Sequence, residues 1–144
     1  MKKRNGKVNW IHQLNLIITI VLAILIVSPL VIANEFSNSI PYIIAGGGVI
    51  LLSTANYFLN ISNFAKGLIF VLIPAFVVFL LFYLDGYSIN KHYMLLLTFI
   101  MCAMYFNERM IKIFLVIASI FYILLYIAVP ENLLGVNANL PVFI

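Results

Sequence analysis

Charge is what this sequence has least of. Only 8% of its 144 residues are Asp, Glu, Lys or Arg, against roughly 25% in an ordinary soluble domain, which leaves too little polar side chain to coat a water-facing globule. Cysteine is nearly absent as well. Cys102 stands alone, which excludes an intramolecular disulfide and a thiolate metal cluster and makes it a small apolar core residue. No ionisable side chain falls inside the long apolar runs as the sequence delimits them. Such groups are retained in membranes mainly for function, so their absence argues against an enzyme or a proton-coupled transporter. It leaves no catalytic, cofactor-binding or metal-binding residue to nominate, and no cofactor is expected.

What fills the chain instead is hydrophobic side chain, 65% of all residues, at a mean hydropathy of +1.18. It comes in successive runs near the length of about 20 residues that a helix needs to cross a hydrocarbon core. The expected fold is therefore all-α, a polytopic transmembrane helical bundle of five spans plus the start of a sixth, with the lipid bilayer as its first partner. Residues 1–13 form a basic, interfacial lead ending near Trp10 and His12, and residues 14–144 form the helical domain. The spans are expected at 14–33, 41–59, 67–84, 91–107 and 113–129, with a sixth beginning at Leu140. Asn34 to Ser39 make the first polar turn, ahead of Pro41 in the first turn of the second helix, where a missing N–H costs little. Pro74 inside the third helix predicts a kink. The fourth apolar run, Tyr93 to Phe106, is short and borrows flanking residues, with Lys91 snorkelling to the interface. Glu108, Arg109 and Lys112 mark a tight turn, and Pro130 ends the fifth helix ahead of a polar tail from Glu131 to Asn139.

Basic residues set the orientation. With the N-terminus inside, Lys2, Lys3, Arg4, Lys7, Lys66, Arg109 and Lys112 are cytoplasmic and only Lys91 is outside, as the positive-inside rule requires of short loops. Asp85, Lys91 and His92 then read as interfacial groups in contact with water. His12 and His92 fall on opposite sides and share no metal. The cations are otherwise scattered singly at helix ends, which is not the basic face that nucleic acid requires.

The short motifs favour bland readings. Gly46, Gly47 and Gly48 lack the lysine of a phosphate-binding loop and suit close helix packing. Asn60, Ile61 and Ser62 match a glycosylation sequon on the predicted cytoplasmic side, where it would not be used. Phe76, Phe79, Phe82 and Tyr83 recur at helical spacing as lipid or helix contacts. The candidate lining of a ligand pocket within the bundle is Asn56, Tyr57, Tyr83 and Tyr105.

The lead NWIHQLNLI, the stretch MCAMYFNERMIKIFLVI and the VPENLLG before the last run resemble the N-terminal multi-helix membrane sensor region of methyl-accepting chemotaxis proteins of the Firmicutes, or clostridial, type. The resemblance covers nearly the whole chain. It implies a bacterial signal-transduction domain of the plasma membrane, part of a chemotaxis receptor truncated before its cytoplasmic signalling hairpin and acting as a homodimer or in a receptor array. The alternatives are the sensor of a histidine kinase or diguanylate cyclase, and a free-standing small membrane protein such as a transporter subunit or an immunity protein.

Reporter fusions test the topology. Fusions after Lys66 and Arg109 are expected to read as cytoplasmic and those after Asp85 and Glu131 as external, and a cytoplasmic signal at Asp85 would invert the orientation.

Overall fold

A computed structural model describes residues 2–33 and 36–135. The described residues form six helices and no strand: α1 (Lys2–Ala33), α2 (Phe36–Phe58), α3 (Asn63–Asp85), α4 (Ile89–Ala103), α5 (Glu108–Ala128) and the single turn α6 (Pro130–Leu134). Four of these, α1, α2, α3 and α5, are long and apolar enough to cross a membrane, and α4 is a shorter apolar helix. These helices point to a membrane protein.

The helix bounds differ from the expected spans, each for a local reason. The lead is not a separate segment: α1 is one helix of 32 residues, a rise of ~48 Å against a hydrocarbon core of about 30 Å, so it is long enough to carry its basic first turns beyond the apolar part. Ser37, Asn38 and Ser39 belong to α2 rather than to the turn, and Pro41 lies inside that helix. Asn34 and Glu35 lie outside the described residues, as does the sixth span expected at Leu140. Pro74 likewise lies inside a continuous α3. That helix starts early because the Ser62 hydroxyl accepts a hydrogen bond from the Ala65 N–H at 3.2 Å, so the sequon serine is an N-cap.

The fourth span shows the largest difference. α4 runs over Ile89–Ala103 and does not recruit residues 104–107. There, tight bonds from the Tyr105 N–H to the Cys102 carbonyl and from the Phe106 N–H to the Ala103 carbonyl close a turn. Phe106 takes φ +49, and Asn107 is extended, its side chain accepting from the Met110 N–H to cap α5. Glu108, Arg109 and Lys112 are therefore the first turns of α5, with Lys112 and Glu108 paired at 2.6 Å on an exposed face. Pro130 does end α5, but it also starts α6, which closes on Gly135 in the left-handed region at φ 73. Residues 136–144 lie outside the described residues.

The chain divides into two compact units, residues 1–74 and 75–144. In the first, α1 and α2 pack antiparallel, since Gln13 meets Tyr57 at one end and Val27 meets Gly46 towards the other. Of the three glycines only Gly46 lies at the contact: a β-carbon there would overlap Cγ2 of Val27, whereas Gly47 and Gly48 face open space. In the second unit, Phe121 of α5 stacks on Phe79 at 5.4 Å and meets Phe76 edge-on at 5.7 Å. Much of α5 nevertheless presents bare apolar surface, including Leu115, Val116, Ile120, Ile123 and Ile127, as a helix facing hydrocarbon does.

Gly46→Leu is expected to force α1 and α2 apart and lower thermal stability in detergent by about 1–3 kcal/mol. Gly47→Leu is expected to stay within about 0.5 kcal/mol of the parent. Equal melting of the two variants would show that α1 and α2 do not pack through Gly46.

Candidate functional site

Polar side chains are few in these helices, so where they are buried matters. On α1, His12, Asn15 and Thr19 recur at the spacing that shares one helix face, and they are 1%, 0% and 1% exposed. The apolar stretch Val8–Leu25 takes in His12, so an ionisable side chain does lie within a candidate span, contrary to the sequence reading. On α2 the buried series is Ser39, Gly46, Val49, Ser53 and Asn56, again one face. The two fixed points of the hairpin, Gln13 with Tyr57 and Val27 with Gly46, set a register that brings Asn15 level with Asn56 and Thr19 level with Ser53. A polar seam thus runs between two apolar helices.

One end of the seam is tied by hydrogen bonds. Gln13 Nε2 donates to the Tyr57 hydroxyl at 3.1 Å, and Asn56 Nδ2 donates to the Lys66 carbonyl at 3.0 Å. Lys66 Nζ returns to the Tyr57 carbonyl at 2.9 Å, where an ammonium suits the negative end of α2. The His12 ring stacks 5.7 Å from Phe70 of α3 and shares a hydrogen bond with the Asn63 side chain.

The second unit repeats the device. Lys91, near the start of α4, is 5% exposed, not at the water-facing margin that the sequence suggested. Its Nζ donates to the Leu81 carbonyl at 3.1 Å and to the Gly86 carbonyl at 2.6 Å, and lies 5.7 Å from the centre of the Phe82 ring. Asn132 of α6 donates to the Tyr83 carbonyl at 3.1 Å. Side chains from two later helices therefore take up carbonyls at the C-terminal end of α3. Beside them, His92 Nε2 meets the Tyr122 hydroxyl at 3.3 Å and its ring meets Phe82 edge-on at 4.8 Å.

The four residues read as pocket lining are distributed as follows. Asn56 and Tyr57 belong to the seam of the first unit. Tyr83 lines an open apolar groove of about 260 Å³ with Phe76, Phe79, Phe121 and Leu125. Tyr105 sits in the α4–α5 turn, at the other end of α4 from Tyr83, and lines neither that groove nor the one of about 260 Å³ bounded by Phe79, Phe99, Phe114 and Tyr122. His12, Asn15, Thr19, Ser53, Lys91 and Asn132 were not among the site residues that the sequence nominated. A signal existed only for the seam, in the i, i+3, i+7 spacing of His12, Asn15 and Thr19.

Among the described residues, no three His, Cys, Asp or Glu side chains come together as a metal site. No protein-family model matches the chain, and neither a curated protein nor a solved structure matches it.

Lys91→Met is expected to remove the ammonium that bonds the Leu81 and Gly86 carbonyls and cost about 1–3 kcal/mol, read as a lower midpoint of unfolding in detergent. Lys91→Arg is expected to lose less. A midpoint unmoved by Lys91→Met would show that the ammonium does not cap α3.

Proposed function

We propose that this chain is the membrane-embedded sensory domain of a chemotaxis-type transmembrane receptor. It sits in the cell membrane with its N-terminus in the cytoplasm and acts as a homodimer, or in an array, through a cytoplasmic output. The observation that carries this reading is the buried seam of His12, Asn15, Thr19, Ser53 and Asn56. In helices this apolar a polar contact is costly unless used, and the seam lies at the end of α1 that adjoins the basic lead.

The physics of such a seam suits a switch. Its hydrogen bonds are few, short-range and exchangeable between neighbouring groups, so two packings of α1 against α2 can lie close in energy. A stimulus that favours one of them shifts the population by its differential affinity alone. The required motion is small, since a slide of an ångström or two would exchange the partner of the Tyr57 hydroxyl, which Gln13 of α1 holds, while Gly46 preserves the close contact with α1. The dimer follows from the receptor reading and from the bare apolar face of α5, which offers surface to lipid or to a second copy.

The reading frame beyond Ile144 tests the proposal directly. A further apolar span followed by a long heptad-patterned helix supports a chemotaxis-type receptor. A helix bearing a phosphoacceptor histidine would make the output a kinase, a cyclase domain would make it a nucleotide-signalling enzyme, and an immediate stop would sink the receptor reading.

A further inference from the structure

A hydroxyl on an apolar helix ordinarily bonds back to a carbonyl one turn earlier. Thr19 and Thr98 do so: Thr19 Oγ1 donates to the Asn15 carbonyl at 2.8 Å, and Thr98 Oγ1 donates to the Leu95 carbonyl at 2.7 Å. Ser53 does not. It is 0% exposed, and its Oγ has no hydrogen-bond partner.

One turn further on, the same face of α2 carries a second open group. Asn56 is 2% exposed and commits Nδ2 to the Lys66 carbonyl, which leaves Oδ1 without a hydrogen-bond partner. Reversing the amide would set oxygen against oxygen at Lys66, so Oδ1 is the free end. Residues three apart on a helix have their β-carbons about 5–6 Å apart, a separation that one small molecule bridges with a bond to each. The register of the hairpin adds Thr19 and Asn15 of α1 as the opposite wall.

We infer that Ser53 Oγ and Asn56 Oδ1 form a binding site for a neutral hydroxyl group, which is water in the resting protein. The guest donates one hydrogen to Asn56 Oδ1 and either donates to or accepts from Ser53 Oγ, filling two of the two to four bonds a buried water makes. A cation does not fit. The Lys66 ammonium lies 2.9 Å from the Tyr57 carbonyl, next along the chain from Asn56, and two neutral oxygens fall short of the six that a hard cation gathers. A small alcohol presents the same chemistry as water and competes for the same pair of atoms. The site depends on the packing of α1 against α2 and not on the receptor reading. A stop after Ile144 would leave it standing, and its failure would leave the receptor reading to the sequence beyond Ile144.

The test uses the full chain in detergent micelles, labelled with nitrogen-15. Magnetisation transfer from water to the Asn56 side-chain amide is measured with the sign that identifies a long-lived bound water. A cross-peak in the parent protein that disappears in Ser53→Ala, with the Asn56 amide signal still in place, supports the site. No such cross-peak in the parent protein overturns it, whether or not the variant folds. So does a cross-peak that persists unchanged in a folded Ser53→Ala. Ethanol added to the parent separates the sources: transfer from its methyl group to Asn56 shows that an alcohol enters, and an unchanged water signal shows that water alone is held.

Discussion

Every α-helix ends with carbonyls that no N–H of its own reaches, and in hydrocarbon there is no water to take them. That demand shapes this chain more than any other. At the ends of α2 and α3 it is met in the same way, by a lysine in the first turn of the next helix reaching back. Lys66 takes the Tyr57 carbonyl, and Lys91 takes the Gly86 carbonyl just past α3 and adds a second bond to the Leu81 carbonyl, four residues before Asp85. Each ammonium also lies by an aromatic ring, Tyr57 for Lys66 and Phe82 for Lys91, whose face attracts a cation. The arrangement fixes the length of the connection, because the lysine must return across it. It therefore couples the path of the loop to the end of the helix it closes.

Helix starts are handled by single residues. Ser62 and Asn107 supply side-chain oxygens to the first free N–H groups of α3 and α5. These caps explain why both helices start ahead of their apolar runs. Hydropathy locates the greasy middle of a span, where many residues agree. A boundary rests on one side chain whose type also suits a loop. Thus the four long helices were legible in the sequence while their limits were not. The α4–α5 turn was the least legible, since nothing local marks Phe106 for the left-handed region that it occupies at φ +49.

The candidate site divides along the same line. Asn56 and Tyr57 stood out because polar residues are conspicuous in an apolar run, and the structure ties both into the seam. Tyr83 and Tyr105 stood out for the same reason, yet the helix that separates them puts them at opposite ends, a rise of ~22 Å for its 15 residues. Residue type was visible in sequence, but which residues share a level is set by the antiparallel register of α1 and α2. That register rests on Gly46, whose missing side chain admits Val27. The neighbouring glycines look identical in sequence and face open space, so only the packing distinguishes them.

Lys91 joins the fold to the proposed orientation. Seven of the eight basic residues fall on the cytoplasmic side of that topology and Lys91 is the one exception. A free surface lysine there would count against the positive-inside pattern, which acts on loop charges near span ends. Lys91 is 5% exposed, and its ammonium is committed to two carbonyls at the end of α3. A cation is favoured at that point by the negative end of the α3 dipole, and the Gly86 carbonyl just past the helix takes its shorter bond. The residue that breaks the charge asymmetry is thus the one for which the structure supplies an independent reason. The other cap, Lys66, closes α2 and, in the proposed topology, would lie on the side where lysine is favoured.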